Sequence, residues 1–227
     1  MLSSWGLTFE AIDVAAEPGA WEDLRRLGIP LVPAVVAGDG AVHGWNPRAL
    51  ADLVGVAYSQ PERLAPPELA ARLDRVLAVA QGAILQVPPD RLDDPPSRGR
   101  DRSVRQLAYH IFRLSLAYPE AIASRRLPEA WLQEESPPEL RDPAALASYG
   151  ERVRERIRAW LVRPDAWEGT IETYYGAQTG PELLERTVWH AAQHVRQLHA
   201  FLERLGTAPL DPLTDADLRG LPLPEEV

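Results

Sequence analysis

The sequence predicts a two-part α+β chain that is mostly α-helical: a partial α/β unit at residues 1–56, then an up-and-down four-helix bundle at residues 68–212. Short strand-like and helix-like segments fill the first part, whereas the second carries apolar residues at alternating steps of three and four. The chain has 227 residues, of which 45% are hydrophobic, enough for a substantial core. A proline-rich linker at residues 57–67 joins the parts, and residues 213–227 form a tail.

Composition and charge exclude several kinds of site and partner. The formal net charge of −9 argues against nucleic acid or an anionic membrane as the main partner. The chain has no cysteine and no lysine, which excludes disulfides, cysteine nucleophiles and lysine Schiff bases. It has neither an apolar run of transmembrane length nor a secretory signal pattern at Met1, so we expect a cytoplasmic protein.

The N-terminal part is predicted to contain a strand, a helix, a hairpin and a second helix. Thr8–Val14 alternates like a strand, and Glu17–Leu27 has helical character before a glycine. The hairpin consists of Leu31–Ala37 and Ala41–Trp45, joined by a Gly-Asp-Gly turn, and Pro47–Val54 is the second helix. This order is that of the second half of a thioredoxin fold, which predicts a truncated thioredoxin-like unit.

Two motifs in this unit resemble a glutaredoxin: Gly28–Val36, which contains Val32-Pro33, and Gly44-Trp45-Asn46-Pro47. The resemblance implies a cis bond at Val32-Pro33 and a low-molecular-weight thiol bound at these two residues. The first strand and the C-x-x-C of that family are missing, so the unit as written cannot perform dithiol exchange. Because Leu2–Gly6 matches the end of a glutaredoxin's first helix, we expect an upstream coding extension with a C-x-x-C or C-x-x-S.

Apolar stripes and helix-capping residues predict the first three helices of the bundle. Glu68–Gln86 carries an inward apolar stripe, and Ser103–Ala117 begins with a capping box that Ser103 forms with Gln106. Asp142 is the predicted N-cap of the third helix, with Pro143 in its first turn. Residues 119–141 and 164–179 are interpreted as mostly loop connections.

The fourth helix is the longest and carries two histidines. Thr179 and Glu182 form a capping box at its start, and Gly206 supplies the stop. His190 and His194 stand one turn apart, so their side chains lie on the same face and can reach one divalent ion. Solvated or singly hydrogen-bonded helix histidines are the alternative interpretation of this spacing.

A third histidine, His110, lies on the flank of the second helix. Only five histidines occur in the chain, and three of them occupy flanks of bundle helices, beside the apolar stripes. Three neutral imidazoles leave a divalent metal an open position for water or substrate, as in catalytic zinc sites. The sequence therefore predicts a metal centre made of His110, His190 and His194.

The segments around these histidines, Leu107–Ile111 and Trp189–Leu198, resemble the DinB/YfiT superfamily of metal-binding four-helix bundles, over residues 64–212. In that family one histidine of the second helix and two of the fourth bind an ion, which implies zinc or nickel at His110, His190 and His194. Some relatives are transferases that use a low-molecular-weight thiol. The resemblance thus implies a metal-dependent enzyme, either a thiol-dependent S-transferase or a hydrolase.

Several expectations remain alternatives at this stage. A non-catalytic stress or interaction protein, whose metal only stabilises the bundle, is the second functional class. Arg196 is a candidate for binding an anionic small-molecule substrate, although a surface arginine is the commoner case. No residue is marked as a general base. We also expect a homodimer, because half of a thioredoxin-type sheet leaves an edge that needs cover.

Overall fold

The computed structural model describes residues 2, 5–14, 17, 19–29, 32–43, 46–58, 63–96 and 102–222. The chain forms two compact units, Met1–Glu62 and Arg63–Val227. The division falls inside the predicted linker 57–67, part of which lies outside the described residues.

The first unit contains a hairpin and two short helices. Helix α1 is Ala20–Arg26, strands β1 and β2 are Ala34–Ala37 and Gly40–His43, and helix α2 is Pro47–Val54. The strands pair antiparallel around a tight turn, as predicted. Asn46 caps α2, because its side chain accepts a hydrogen bond from a backbone N–H of the first turn. The predicted helix Pro47–Val54 is confirmed.

The remaining predictions for this unit have mixed outcomes. The peptide bond Val32-Pro33 is cis, as the glutaredoxin resemblance implies. The predicted strand at Thr8–Val14 is wrong: these residues have no regular structure, and Phe9 and Ile12 are exposed instead of packing on a sheet. Leu31 and the glycine motif at residues 44–45 lie outside the described residues. The thioredoxin-like assignment of this unit stays a prediction.

The second unit is built on four long helices: α3 (Pro66–Leu85), α4 (Val104–Ser124), α5 (Pro143–Leu161) and α6 (Gly180–Arg204). Helices α3 and α4 each pack against both α5 and α6. The inward positions of all four form one apolar core, whose largest fully buried members include Leu69, Leu73, Leu77, Ile84, Phe112, Tyr118, Leu146 and Phe201. The predicted four-helix bundle is confirmed. Its up-and-down order is not, because α4 packs mainly on α5 and α6 and not on α3, the helix before it in the chain.

The helix starts follow the capping residues of the sequence. Ser103 and Asp142 each accept a hydrogen bond from the backbone N–H three residues later. Thr179 and Glu182 form the reciprocal capping box of α6. Gly206, with a φ of 75°, follows the last turn in the left-handed conformation that ends helices.

Helix α4 continues through Pro119 to Ser124, whereas the sequence predicted an end at Ala117. Proline removes one helical hydrogen bond and usually bends or breaks a helix. Here the turn is buried in the bundle on several sides, and the Tyr118 hydroxyl donates to the carbonyl of Ala166 at 3.0 Å. Packing of this turn therefore outweighs the lost bond.

A small sheet lies between α4 and α6, where the sequence predicted loops. Its strands are β3 (Arg126–Leu127), β4 (Thr170–Thr173) and β5 (Gly176–Thr179), in that order. Strand β3 pairs parallel with β4, and β4 pairs antiparallel with β5. Because β5 runs directly into the N-cap of α6, the sheet fixes where the histidine-bearing helix begins.

The C-terminal segment packs on α3. Arg72 donates to the carbonyls of Asp217 and Arg219, and Arg75 pairs with Asp211. A short helix, α7 (Asp215–Leu218), forms within it. Among the described residues, no helix combines the length and hydropathy needed to cross a membrane.

Candidate metal centre

The fold brings the three predicted histidines together. His110 projects from α4, and His190 and His194 project from successive turns of α6. The ring centroid of His110 lies 5.2 Å from that of His190 and 5.1 Å from that of His194. One nitrogen from each ring can be chosen so that all three lie within 4.8 Å of one another. This cluster can hold one metal ion.

The two histidines of α6 already have a separation suited to a shared ion. Their Nε2 atoms lie 3.1 Å apart. Two nitrogens bound tetrahedrally to one zinc, at about 2.0–2.1 Å each, would lie about 3.3 Å apart. The pair therefore needs little change to become two ligands of one ion.

The environment keeps two of the imidazoles neutral, which is the form that binds metals. Burial lowers the pKa of His110 well below its ordinary value, and the nearby His194, Arg102 and Arg186 lower it further. Burial also lowers the pKa of His190 well below its ordinary value, and the nearby His194, His110, Arg186 and Arg102 lower it further. Both rings are therefore uncharged at neutral pH.

Gln197 sets the orientation of His194. The Nδ1 atom of His194 lies 2.9 Å from the side-chain Oε1 of Gln197, one turn further along α6. Since an amide oxygen only accepts, Nδ1 carries the proton in this pair, and the Nε2 lone pair points toward the other histidines. Gln197 is thus a positioning residue for the candidate ligand.

The three histidines open onto a cleft of about 360 Å³. Its walls combine apolar side chains with amides and one guanidinium: Pro96, Arg102, Leu107, Leu132, Gln133 and Gln197. No carboxylate is found among the described residues that line it. A volume of this size suits a small molecule, so an ion at the histidines would be accessible to a ligand.

One wall of the cleft, the segment that contains Leu132 and Gln133, is held by side chains of α4. The amide of Gln106 donates to the carbonyl of Glu134 and accepts from the N–H of Ser136, each at 2.7 Å. Arg113 binds the Glu134 carboxylate with two hydrogen bonds. The segment therefore has a fixed position relative to His110, which lies on the same helix.

Two further sets of hydrogen bonds fix segments of the site. Arg204 donates to the carbonyls of Pro95 and Pro96, which anchors the cleft-lining Pro96 to α6. Behind His190, Arg186 donates to the Tyr174 hydroxyl at 2.7 Å. This bond ties the β4–β5 turn to the helix that carries two of the three histidines.

The other predicted site residues are not part of this cluster. Arg196 donates to the side chain of Gln193 at 3.1 Å and is not among the residues that line the cleft. Val32 and Pro33 belong to the first unit. The substrate role of Arg196 and the thiol-binding role of Val32 and Pro33 stay predictions.

Two polar residues of the cleft were missed by sequence reasoning. Arg102 directly precedes the N-cap of α4 and lies about two helical turns before His110, a spacing that could have indicated it. Gln133 lies in a 3-10 turn within a segment without helical periodicity, so no local signal marked it. The walls of a cleft depend on packing between distant segments, which a single sequence does not reveal.

Comparison with known proteins identifies the fold of the bundle. No protein-family model and no curated protein matches the sequence. YfiT from Bacillus subtilis, described as a probable metal-dependent hydrolase with an unusual four-helix bundle topology, is similar in structure: the TM-score is 0.51 at 17% identity, over 67% of this chain and 96% of YfiT. The DinB-like protein YjoA from Bacillus subtilis gives a TM-score of 0.50 at 16% identity, over 64% of this chain and 95% of YjoA.

These likenesses establish the class of fold to which the second unit belongs. The chain contains a four-helix bundle of the DinB/YfiT type, as the sequence resemblance implied. Its histidine cluster lies between the second and fourth helices of that bundle. At this level of identity the comparison concerns the fold, and the chemistry must be argued from the site itself.

The metal-free protein is expected to lose stability as the pH falls below about 6.5. The pKa values of His110 and His190 are lowered in the folded protein, so below this pH the unfolded chain binds more protons than the folded one. Their contribution is complete above about pH 6.5 and is lost as the pH falls below it.

Urea denaturation of chelator-treated protein at several pH values measures this loss. The control is a variant with both His110→Gln and His190→Gln, in which the free energy of unfolding should change less over the same range. An equal pH dependence in the two proteins would show that these histidines are not buried in the neutral form.

Proposed function

We propose that the chain is a metal-dependent enzyme, most simply a hydrolase, that acts on a small molecule at the three-histidine centre. The observation that carries the proposal is the position of His110, His190 and His194 on one side of a cleft of about 360 Å³. A metal that only stabilised the bundle would need no such access. The description of YfiT as a probable metal-dependent hydrolase supports the same class of reaction.

The donor set fits a divalent ion such as zinc or nickel. Three imidazoles bring no charge of their own and leave at least one position for a further ligand. When bound, such an ion supplies Lewis acidity and lowers the pKa of a water or thiol that it holds. The chain's own residues hold the imidazoles neutral by burial and fix the tautomer of His194 through Gln197.

The lining of the cleft constrains how a nucleophile is activated. Because no carboxylate lines the described part of the cleft, no general base of that kind is available there. An ion held by the three histidines would supply the lowered pKa that a nucleophile needs there. Leu107, Leu132 and Pro96 line the cleft and can hold the apolar part of a substrate.

Transfer of a low-molecular-weight thiol is the second candidate reaction. The feature in its favour is the glutaredoxin-like sequence motif at Gly28–Val36. In this case a thiol held by the histidine-bound ion would be the nucleophile. Binding of a thiol at Val32 and Pro33 is a separate prediction for the first unit. The homodimer, the small-molecule partner and the absence of nucleic-acid and membrane partners remain part of the proposal.

A pair of chromogenic assays tests the proposal. The full chain loaded with Zn²⁺ or Ni²⁺ should hydrolyse nitrophenyl esters, or should couple glutathione to 1-chloro-2,4-dinitrobenzene if it is a thiol transferase. Activity should disappear after chelation and in His194→Ala, and should persist in His199→Ala, whose imidazole lies on the same helix outside the cleft. Rates that do not depend on the metal or on His194 in either assay would contradict an enzymatic role for the centre.

A further inference from the structure

We propose that the cleft binds a small organic anion, whose anionic group meets Arg102 and the side-chain amide of Gln197 while its reacting group faces the three histidines. This inference rests on the proposed function and names the substrate class for the same site. It assigns recognition to two residues that lie beside the candidate ligands and do not themselves hold the metal.

Arg102 supplies the charge. It lines the cleft together with all three histidines, and it is only partly exposed. Its positive charge also contributes to lowering the pKa of both His110 and His190, in keeping with its place in the lining of the same cleft. A guanidinium has five N–H donors in a planar fork, so it can bind a carboxylate or phosphate in addition to a protein partner.

Gln197 supplies directed hydrogen bonds next to this charge. Its Oε1 is occupied by His194, and its Nε2 makes no hydrogen bond to any described residue. Since Gln197 also lines the cleft, the two N–H donors of this amide are available to a ligand there. The contact to His194 fixes the amide, so these donors have a defined position beside the metal ligands.

The rest of the lining favours an anion with an apolar body. No carboxylate is among the described residues that line the cleft, and Gln133 offers a second amide. Leu107, Leu132 and Pro96 contribute apolar surface to the same cleft. A small carboxylic acid or phosphate ester with a short hydrocarbon part matches this combination of surfaces.

Binding of matched hydroxamates tests the inference without any assay of turnover. A hydroxamate chelates the metal, and its other end can carry a neutral amide, a carboxylate or a phosphonate on a chain of two, three or four methylenes. Isothermal titration calorimetry would measure each affinity for the full chain loaded with Zn²⁺. We expect the best carboxylate or phosphonate to bind about tenfold more tightly than the amide of equal length, as one charge-assisted contact provides.

Two arginine variants test whether Arg102 causes the preference for the anionic ligand. Arg102→Gln should remove the preference for the anion and leave the affinity for the amide unchanged. Arg105→Gln is the matched control, because Arg105 lies three residues away, pairs with Asp93 and does not line the cleft. The comparison of carboxylate with phosphonate shows which anion the site prefers.

The outcomes separate this inference from the proposed function. If no hydroxamate binds, the metal centre itself is refuted. If the amide and the anions bind equally well to the unmodified chain, the centre stands and the anion site is refuted. If Arg196→Gln, and not Arg102→Gln, removes the preference, then the assignment to Arg102 is wrong and the sequence-based prediction for Arg196 is right.

Discussion

His194→Ala is expected to lower the affinity of the chain for Zn²⁺ or Ni²⁺ by at least about tenfold, because it removes one of three ligands and leaves a cavity at the centre. His110→Ala and His190→Ala should have effects of similar size, since each ring supplies one nitrogen to the same cluster. Competition with a chromogenic chelator at neutral pH measures these affinities.

Two further variants show whether the loss is specific to the cluster. Gln197→Ala keeps all three imidazoles but removes the partner of His194 Nδ1, and it should weaken binding by about tenfold. His199→Ala removes a histidine that lies on α6 but outside the cluster, and it should leave the affinity unchanged. If His199→Ala weakened binding as much as His194→Ala, the loss would reflect damage to α6 and not removal of a ligand.

Gly150→Ala is expected to destabilise the bundle by about 1–2 kcal/mol, although alanine is the better helix former. A Cβ atom at Gly150 would lie 2.4 Å from Cζ of Phe112 on the facing helix α4, which is too close for any packed pair. The Phe112 ring is fully buried and lies edge-on to Tyr149, so it has little room to move. Chemical denaturation of the two proteins measures the difference.

Gly82→Ala is the matched control for this prediction. Gly82 lies inside helix α3, is exposed, and has no atom within 4 Å of the position that a Cβ would take. The same substitution there should stabilise the bundle by about 0.5–1 kcal/mol through helix propensity alone. If Gly150→Ala stabilised the protein equally, the close approach of α4 and α5 at Phe112 would be wrong.

The parts of the fold that sequence reasoning found are those encoded locally. The capping box of Thr179 and Glu182 and the N-caps Ser103 and Asp142 are short-range patterns, and each begins a helix in the structure. The flank positions of the three histidines also follow from helical periodicity, because a helix fixes the direction of each side chain.

The parts that it missed depend on contacts between distant segments. Pro119 looked like a helix end, but burial of the surrounding turn keeps α4 intact. Strand β3 is defined by its pairing with β4, more than forty residues away, and no local pattern reveals such a partner. Arg102 and Gln133 were missed for the same reason, because the residues beside them in the cleft come from other segments of the chain. The strand wrongly predicted at Thr8–Val14 had the right alternation but no sheet to join.

The most direct test of the metal centre is elemental analysis of the purified chain, combined with X-ray absorption spectroscopy of the bound metal. We predict about one equivalent of a divalent ion, with imidazole nitrogens at about 2.0–2.1 Å if the ion is zinc. A variant with His110→Ala, His190→Ala and His194→Ala together should then contain almost none. Full retention of the metal in that triple variant, or a spectrum without imidazole ligands, would contradict the assignment.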